Sequence, residues 1–70
     1  MEYTNSLIKE LIREYIHSDR DRRILYDRLV NGLTFDALAG KYEMSPRQLR
    51  TIVHRNEGVL FKHIGGDQNA

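Results

Sequence analysis

The chain has no cysteine, a single proline and no apolar run approaching the length of a membrane span. Without cysteine, neither a disulfide framework nor a thiolate metal site supports a small core, and a reducing compartment fits. One proline, with 40% hydrophobic and 30% charged residues, excludes low-complexity and collagen-like chains and argues against wholesale disorder. The start, MEYTNS, is polar and lacks a basic region followed by a long apolar segment, so a soluble, cytoplasmic protein without membrane contact is expected. At 70 residues the chain buries only roughly 60% of its unfolded surface. One domain is therefore expected, either compact or helped by a partner.

An excess of one charge sign is also lacking overall, with a net charge of only +1, but the charges are unevenly placed. Met1 to Met44 holds seven Lys or Arg against eight Asp or Glu, a balance of −1. Ser45 to His63 holds Arg47, Arg50, Arg55 and Lys62 against Glu57 alone, a balance of +3. Positive charge is concentrated in one late segment.

Apolar spacing divides the chain into four helices, an all-α fold. Leu7, Ile8, Leu11, Ile12, Tyr15 and Ile16 recur at helical spacing behind Asn5 or Ser6 as N-cap. At about 100° per residue they spread over roughly 180°, wider than the roughly 100° stripe one surface helix needs. This first helix therefore either completes the core or meets a second copy, and a homodimer is slightly favoured. Tyr3 and Tyr15 are expected to pack in the core.

Ser18 or Asp19 starts a second helix running to about Asn31, with Leu25, Leu29 and Val30 inward and Gly32 suited to a left-handed C-terminal position. Thr34 caps a short third helix ending near Tyr42, with Phe35, Leu38, Ala39 and Tyr42 as burial candidates. Ser45 starts the fourth: Pro46 suits its first position, Gln48 completes a capping box, and Leu49, Ile52, Val53, Leu60 and Ile64 share one side. Gly58 falls on the opposite side, so a continuous helix to Ile64 is expected, with a disordered tail over residues 65–70.

Opposite the apolar positions of the fourth helix stand Arg47, Arg50, Thr51 and His54. Arginine presents a fork that binds guanine O6 and N7 together, and threonine offers a hydroxyl to a base edge or a methyl to thymine. A short helix, a tight turn and a capped helix with a polar free face is the helix-turn-helix arrangement, in which the second helix enters the major groove. No serine, histidine or carboxylate spacing supports a triad, a general acid/base pair or a metal site. Catalysis is not expected, and neither is a cofactor. The run Arg20, Arg22, Arg23 alternates with Asp19 and Asp21, so local ion pairing is its expected role.

From Arg22 to Ile64, RRILYDRLVNGLTFDALAGKYEMSPRQLRTIVHRNEGVLFKHI resembles region four of the bacterial RNA polymerase sigma factors and is similar to the helix-turn-helix domains of response regulators. The matching residues are NGLTFDALA, the Ser45 cap, and Leu49 with Ile52, Val53 and Arg55. The resemblance implies base contact at Arg47, Gln48, Arg50, Thr51 and His54, and phosphate contact near Thr34, Lys41 and Arg55. It implies double-stranded DNA as partner, a nucleoid-associated location and RNA polymerase as a possible second partner. The turn carries Glu43 where that family usually has glycine, so a left-handed backbone there would strain Glu43. The chain has no segment for gripping core polymerase and opening DNA, so a complete sigma factor is not expected.

Two functions follow as expectations. The first is a sequence-specific transcriptional regulator whose domain covers residues 1–64, with the helix-turn-helix core at 33–55. The alternative is a protein-interaction module, a sigma-like decoy or adaptor that keeps the fold without binding DNA.

Overall fold

The structure is a computed structural model that describes residues 4–65. Four helices follow in chain order with no strand among the described residues: α1 (Asn5–Tyr15), α2 (Asp19–Leu29), α3 (Phe35–Tyr42) and α4 (Pro46–Gly65). Each starts where a hydroxyl side chain accepts an otherwise unpaired backbone N–H.

The cap of α1 is Thr4, whose hydroxyl accepts from the Leu7 N–H at 3.1 Å, rather than the expected Asn5 or Ser6. Both expected residues lie inside the first turn, because a cap needs extended backbone and Thr4 provides it at φ −76°, ψ 158°. Ile8 and Ile12 face inward, joined by Ile16 just past the helix end. Leu11 and Tyr15 are half-buried and Leu7 is 39% exposed, so the wide apolar stripe is only partly covered. Arg22 of α2 donates its Nη2 to the Arg13 carbonyl at 2.8 Å and its Nε to the Ile16 carbonyl, satisfying acceptors that the end of α1 leaves open. Tyr3 and the tail beyond Gly65 lie outside the described residues.

Ser18, not Asp19, caps α2, accepting from the Asp21 N–H at 3.3 Å. The helix ends at Leu29, two residues before the expected Asn31, and its deeply buried residues are Ile24 and Leu25 rather than Leu29 and Val30, which are half-buried. The chain reverses at Gly32, whose φ of +74° lies in the left-handed region where a Cβ is unfavourable. Arg28 donates to the Leu33 carbonyl at 2.9 Å and holds this turn closed.

Thr34 caps α3, accepting from the Ala37 N–H at 3.1 Å; Leu38 is fully buried while Phe35, Ala39 and Tyr42 are half-buried. Ser45 and Gln48 form a reciprocal box at the start of α4. The Gln48 N–H donates to Ser45 Oγ at 3.1 Å, and the Ser45 N–H donates to Gln48 Oε1 at 3.1 Å. The helix runs unbroken through Gly58, as its exposed position allows.

Leu49, Ile52, Val53 and Leu60 of α4 pack against all three other helices, and their core includes Ile24, Leu25 and Leu38. Each such leucine or isoleucine, taken fully from water, contributes about 1.5–3 kcal/mol. Leu49→Ala at the centre of this packing should cost about 2–5 kcal/mol. No helix among the described residues is long and apolar enough to cross a membrane.

Candidate nucleic-acid interface

The link between α3 and α4 is Glu43, Met44 and Ser45. Glu43 takes a left-handed conformation, φ 55° and ψ 46°, and its N–H bonds back to the Ala39 carbonyl. The turn thus has the geometry that glycine would adopt without strain. It delivers the chain directly into the Ser45 box, which fixes where α4 begins.

Beyond that box, the first two turns of α4 present their polar face on one edge of the molecule. Arg47, Gln48, Thr51 and Arg55 line a shallow groove together with Arg20 from the start of α2. Arg47 is exposed and makes no ion pair or side-chain hydrogen bond among the described residues. The Thr51 hydroxyl donates to the Arg47 carbonyl at 3.1 Å, leaving its lone pairs and methyl outward. Gln48 Oε1 is spent on the box, accepting from the Ser45 hydroxyl at 3.2 Å as well as the Ser45 N–H. Bidentate reading of adenine needs both amide atoms, so Gln48 keeps only its NH₂ for a partner.

Under the groove lies Asp21, 6% exposed. Its Oδ1 accepts from Arg20 Nε and Nη2 at 3.3 and 3.2 Å, while its Oδ2 accepts from Asn56 Nδ2 at 3.2 Å and lies 3.5 Å from Arg55 Nη2. Asn56, also buried, donates a second time to the Ile52 carbonyl at 2.9 Å. One carboxylate therefore joins α2 to α4 and holds two guanidinium groups, from different helices, at the groove's edge. Local pairing of Arg20 was legible in the sequence; its position beside Arg47 was not.

The other expected site residues are dispersed. The Arg50 guanidinium lies 5.4 Å from the centre of the Phe35 ring, whose other cationic neighbour is Arg28 at 4.5 Å. His54 Nδ1 is 3.6 Å from Glu57 Oε1, one turn further along α4. Thr34 sits at the start of α3 with its oxygen committed to the cap. Lys41 is not in this groove: its Nζ donates to Asp27 Oδ2 at 2.7 Å, in a separate cleft.

Asp27 is buried, and besides Lys41 it accepts from the Tyr42 hydroxyl at 2.5 Å and from Asn31 Nδ2 at 3.0 Å. Burial pushes its pKa up, but the Lys41, Tyr42 and Asn31 hydrogen bonds and the Lys41 charge together outweigh it, leaving the carboxyl below its ordinary value. The Tyr42 hydroxyl is pushed up to about 12 by its own burial and by the hydrogen bond and charge of Asp27. This network ties the end of α3 to α2 and so supports the turn into α4.

Chemically, the groove offers guanidinium forks, a threonine edge and no carboxylate exposed among them, a combination suited to phosphate and to base acceptors. Among the described residues no three His, Asp or Glu side chains converge as metal ligands would. No protein-family model, curated protein or solved structure matches the chain.

Proposed function

We propose that the chain is a sequence-specific DNA-binding transcriptional regulator, with α3, residues 43–45 and α4 acting as a helix-turn-helix similar to region four of the sigma factors. In this reading α3 crosses the DNA backbone and the first two turns of α4 enter the major groove. The observation that carries it is Arg47, an unpaired guanidinium in the first turn of a doubly capped helix, flanked by Thr51 and by the paired Arg20 and Arg55. Arg47 reads a guanine, Thr51 contributes a methyl or acceptor, and Arg20 and Arg55 contact phosphates on either side. Arg50 and His54 extend the base-reading face, Gln48 supplements it through its NH₂, and Thr34 meets the backbone. Lys41, held by Asp27 in the separate cleft, is left out of this footprint.

Two copies joined through the exposed edge of α1, where Leu7 stands open, would place two such helices on a two-fold site. RNA polymerase is the further partner that the resemblance implies. Binding of Arg47→Ala to the preferred site and to scrambled DNA tests the assignment. The preferred site should lose about 1–3 kcal/mol more than the scrambled one. Equal losses on both would remove Arg47 from base reading, and absence of binding by the parent protein would turn the assignment to the protein-interaction module.

A further inference from the structure

The face of α2 turned away from α4 is not covered by another helix. α1 and α3 each pack beside α2 but do not meet one another, and the gap between them is a cleft of about 740 Å³. Five cations surround it: Lys9 and Arg13 of α1, Arg22 and Arg23 of α2, and Lys41 of α3. At 3.6 residues per turn, Arg22, Arg23, Tyr26 and Asp27 occupy the side of α2 opposite Asp21, Ile24, Leu25 and Arg28. Asp21, under the groove beside Arg47, therefore lies on the side of α2 away from the cleft.

Among the described residues the only carboxylate lining the cleft is Asp27, whose oxygens already accept from Asn31, Lys41 and Tyr42. Arg22 is turned to the closing carbonyls of α1 and pairs with Asp19 at 3.7 Å. Lys9, Arg13 and Arg23 have no carboxylate partner among the described residues. Those three like charges, gathered with no carboxylate of their own, repel, and an anion between them relieves that repulsion. Guanidinium forks match phosphate oxygens two at a time, which favours phosphate over a single carboxylate. The floor is apolar and aromatic: Ile12 is buried, and the Tyr26 and Tyr42 rings have lysine ammonium groups 5.4 and 5.5 Å from their centres. The volume lies within the roughly 300–1,000 Å³ typical of small-molecule sites.

We propose that this cleft binds a nucleotide carrying two or more phosphates, with Lys9, Arg13 and Arg23 on the phosphates and the two tyrosines against the nucleoside. The site is independent of DNA reading by α4, because no residue is shared between the cleft and the groove.

The test is a titration of the full chain with ATP, with inorganic tripolyphosphate and with a short DNA duplex, followed by amide resonances. ATP should move residues 9, 13, 23 and 26 in a saturable manner and bind more tightly than tripolyphosphate. Arg13→Ala combined with Arg23→Ala should weaken ATP about tenfold or more, as expected for losing two charge-assisted contacts. Both side chains are exposed, and the Arg13 carbonyl that Arg22 uses remains, so the spectrum of the variant should stay that of a folded protein. Arg47→Ala should change ATP affinity less than about twofold. Shifts confined to residues 47–55, or an equal loss in Arg47→Ala, would overturn the site. Tripolyphosphate binding as tightly as ATP would overturn the nucleoside half of the assignment, and the duplex moving residues 9, 13 and 23 in place of ATP would assign the cleft to nucleic-acid phosphates instead.

Discussion

Replacing Glu43 with glycine should stabilise the protein. Glu43 is the one non-glycine residue with positive φ among the described residues, at φ 55° and ψ 46°. A side chain in that region costs roughly 1–2 kcal/mol. Glycine removes this cost but adds about 0.4–1 kcal/mol of unfolded-chain entropy, a net backbone gain of about 0–1.6 kcal/mol, to which loss of the carboxylate adds a further share of about 0.3–1 kcal/mol. Nothing else is lost: the Glu43 side chain is exposed and unbonded, and the backbone bonds of Glu43 and Met44 to the Ala39 carbonyl survive in glycine. For a chain of this size each kcal/mol of gain corresponds to about 4–8 °C in Tm. Glu43→Ala is the control, since it removes the carboxylate from an unfavourable helix C-terminus, worth about 0.3–1 kcal/mol, without relieving the backbone. Urea unfolding followed by circular dichroism should rank glycine above alanine and alanine at or slightly above the parent. Glycine below alanine would refute the claim that the turn is strained. Glycine and alanine equal would assign the whole effect to charge.

Other outcomes follow from the two buried carboxylates and the groove. Asp21→Ala should cost about 2–3 kcal/mol by leaving the buried Asn56 amide short of an acceptor, and should weaken DNA binding by freeing Arg20 and Arg55; urea unfolding and a binding titration measure the two effects separately. Stability should fall at low pH, because the Asp27 pKa is depressed in the folded protein: its contribution is present above the ordinary carboxylate value of 3.8 and is lost as pH drops through the lower folded value. At high pH the sign reverses for Tyr42, whose contribution is complete below its ordinary value of 10 and disappears as pH rises to about 12. Unfolding free energy measured against pH should therefore decline in both windows, and Asp27→Asn should flatten both declines. Arg20→Ala and Arg55→Ala should each reduce the salt dependence of DNA binding by about one unit of slope, read from affinities at several salt concentrations.

The helices were legible because their signals are local. Ser18, Thr34 and Ser45 each carry the capping oxygen, Gly32 takes the left-handed turn, and the Ser45–Gln48 box forms as its spacing predicts. At the first helix the sequence points to Asn5 or Ser6, whereas Thr4, just before them, has the extended backbone and supplies the cap. The groove was half legible. Helical spacing puts Arg47 and Thr51 on one face, but Arg20 reaches that face from a residue 27 positions earlier, through a carboxylate that pairs with its own neighbour as well. Asn56 carried a usable signal. It lies on the apolar side with Leu49, Ile52, Val53 and Leu60, and a buried amide there requires a partner on another helix. The resemblance implies a phosphate contact for Lys41, whereas Asp27, in the last turn of α2, pairs with it in the cleft. Tertiary pairings of this kind leave no periodic trace in the sequence.

Reading of DNA sequence by the α4 face is measured by binding of fragmented source-genome DNA at about 50 and about 200 mM salt, with the bound fraction sequenced. Affinity should fall steeply with salt, one motif should be enriched, and Arg47→Ala should lose that enrichment but not all binding. A folded protein that binds nothing at the lower salt, or binds without enriching any motif, would contradict such reading by α4.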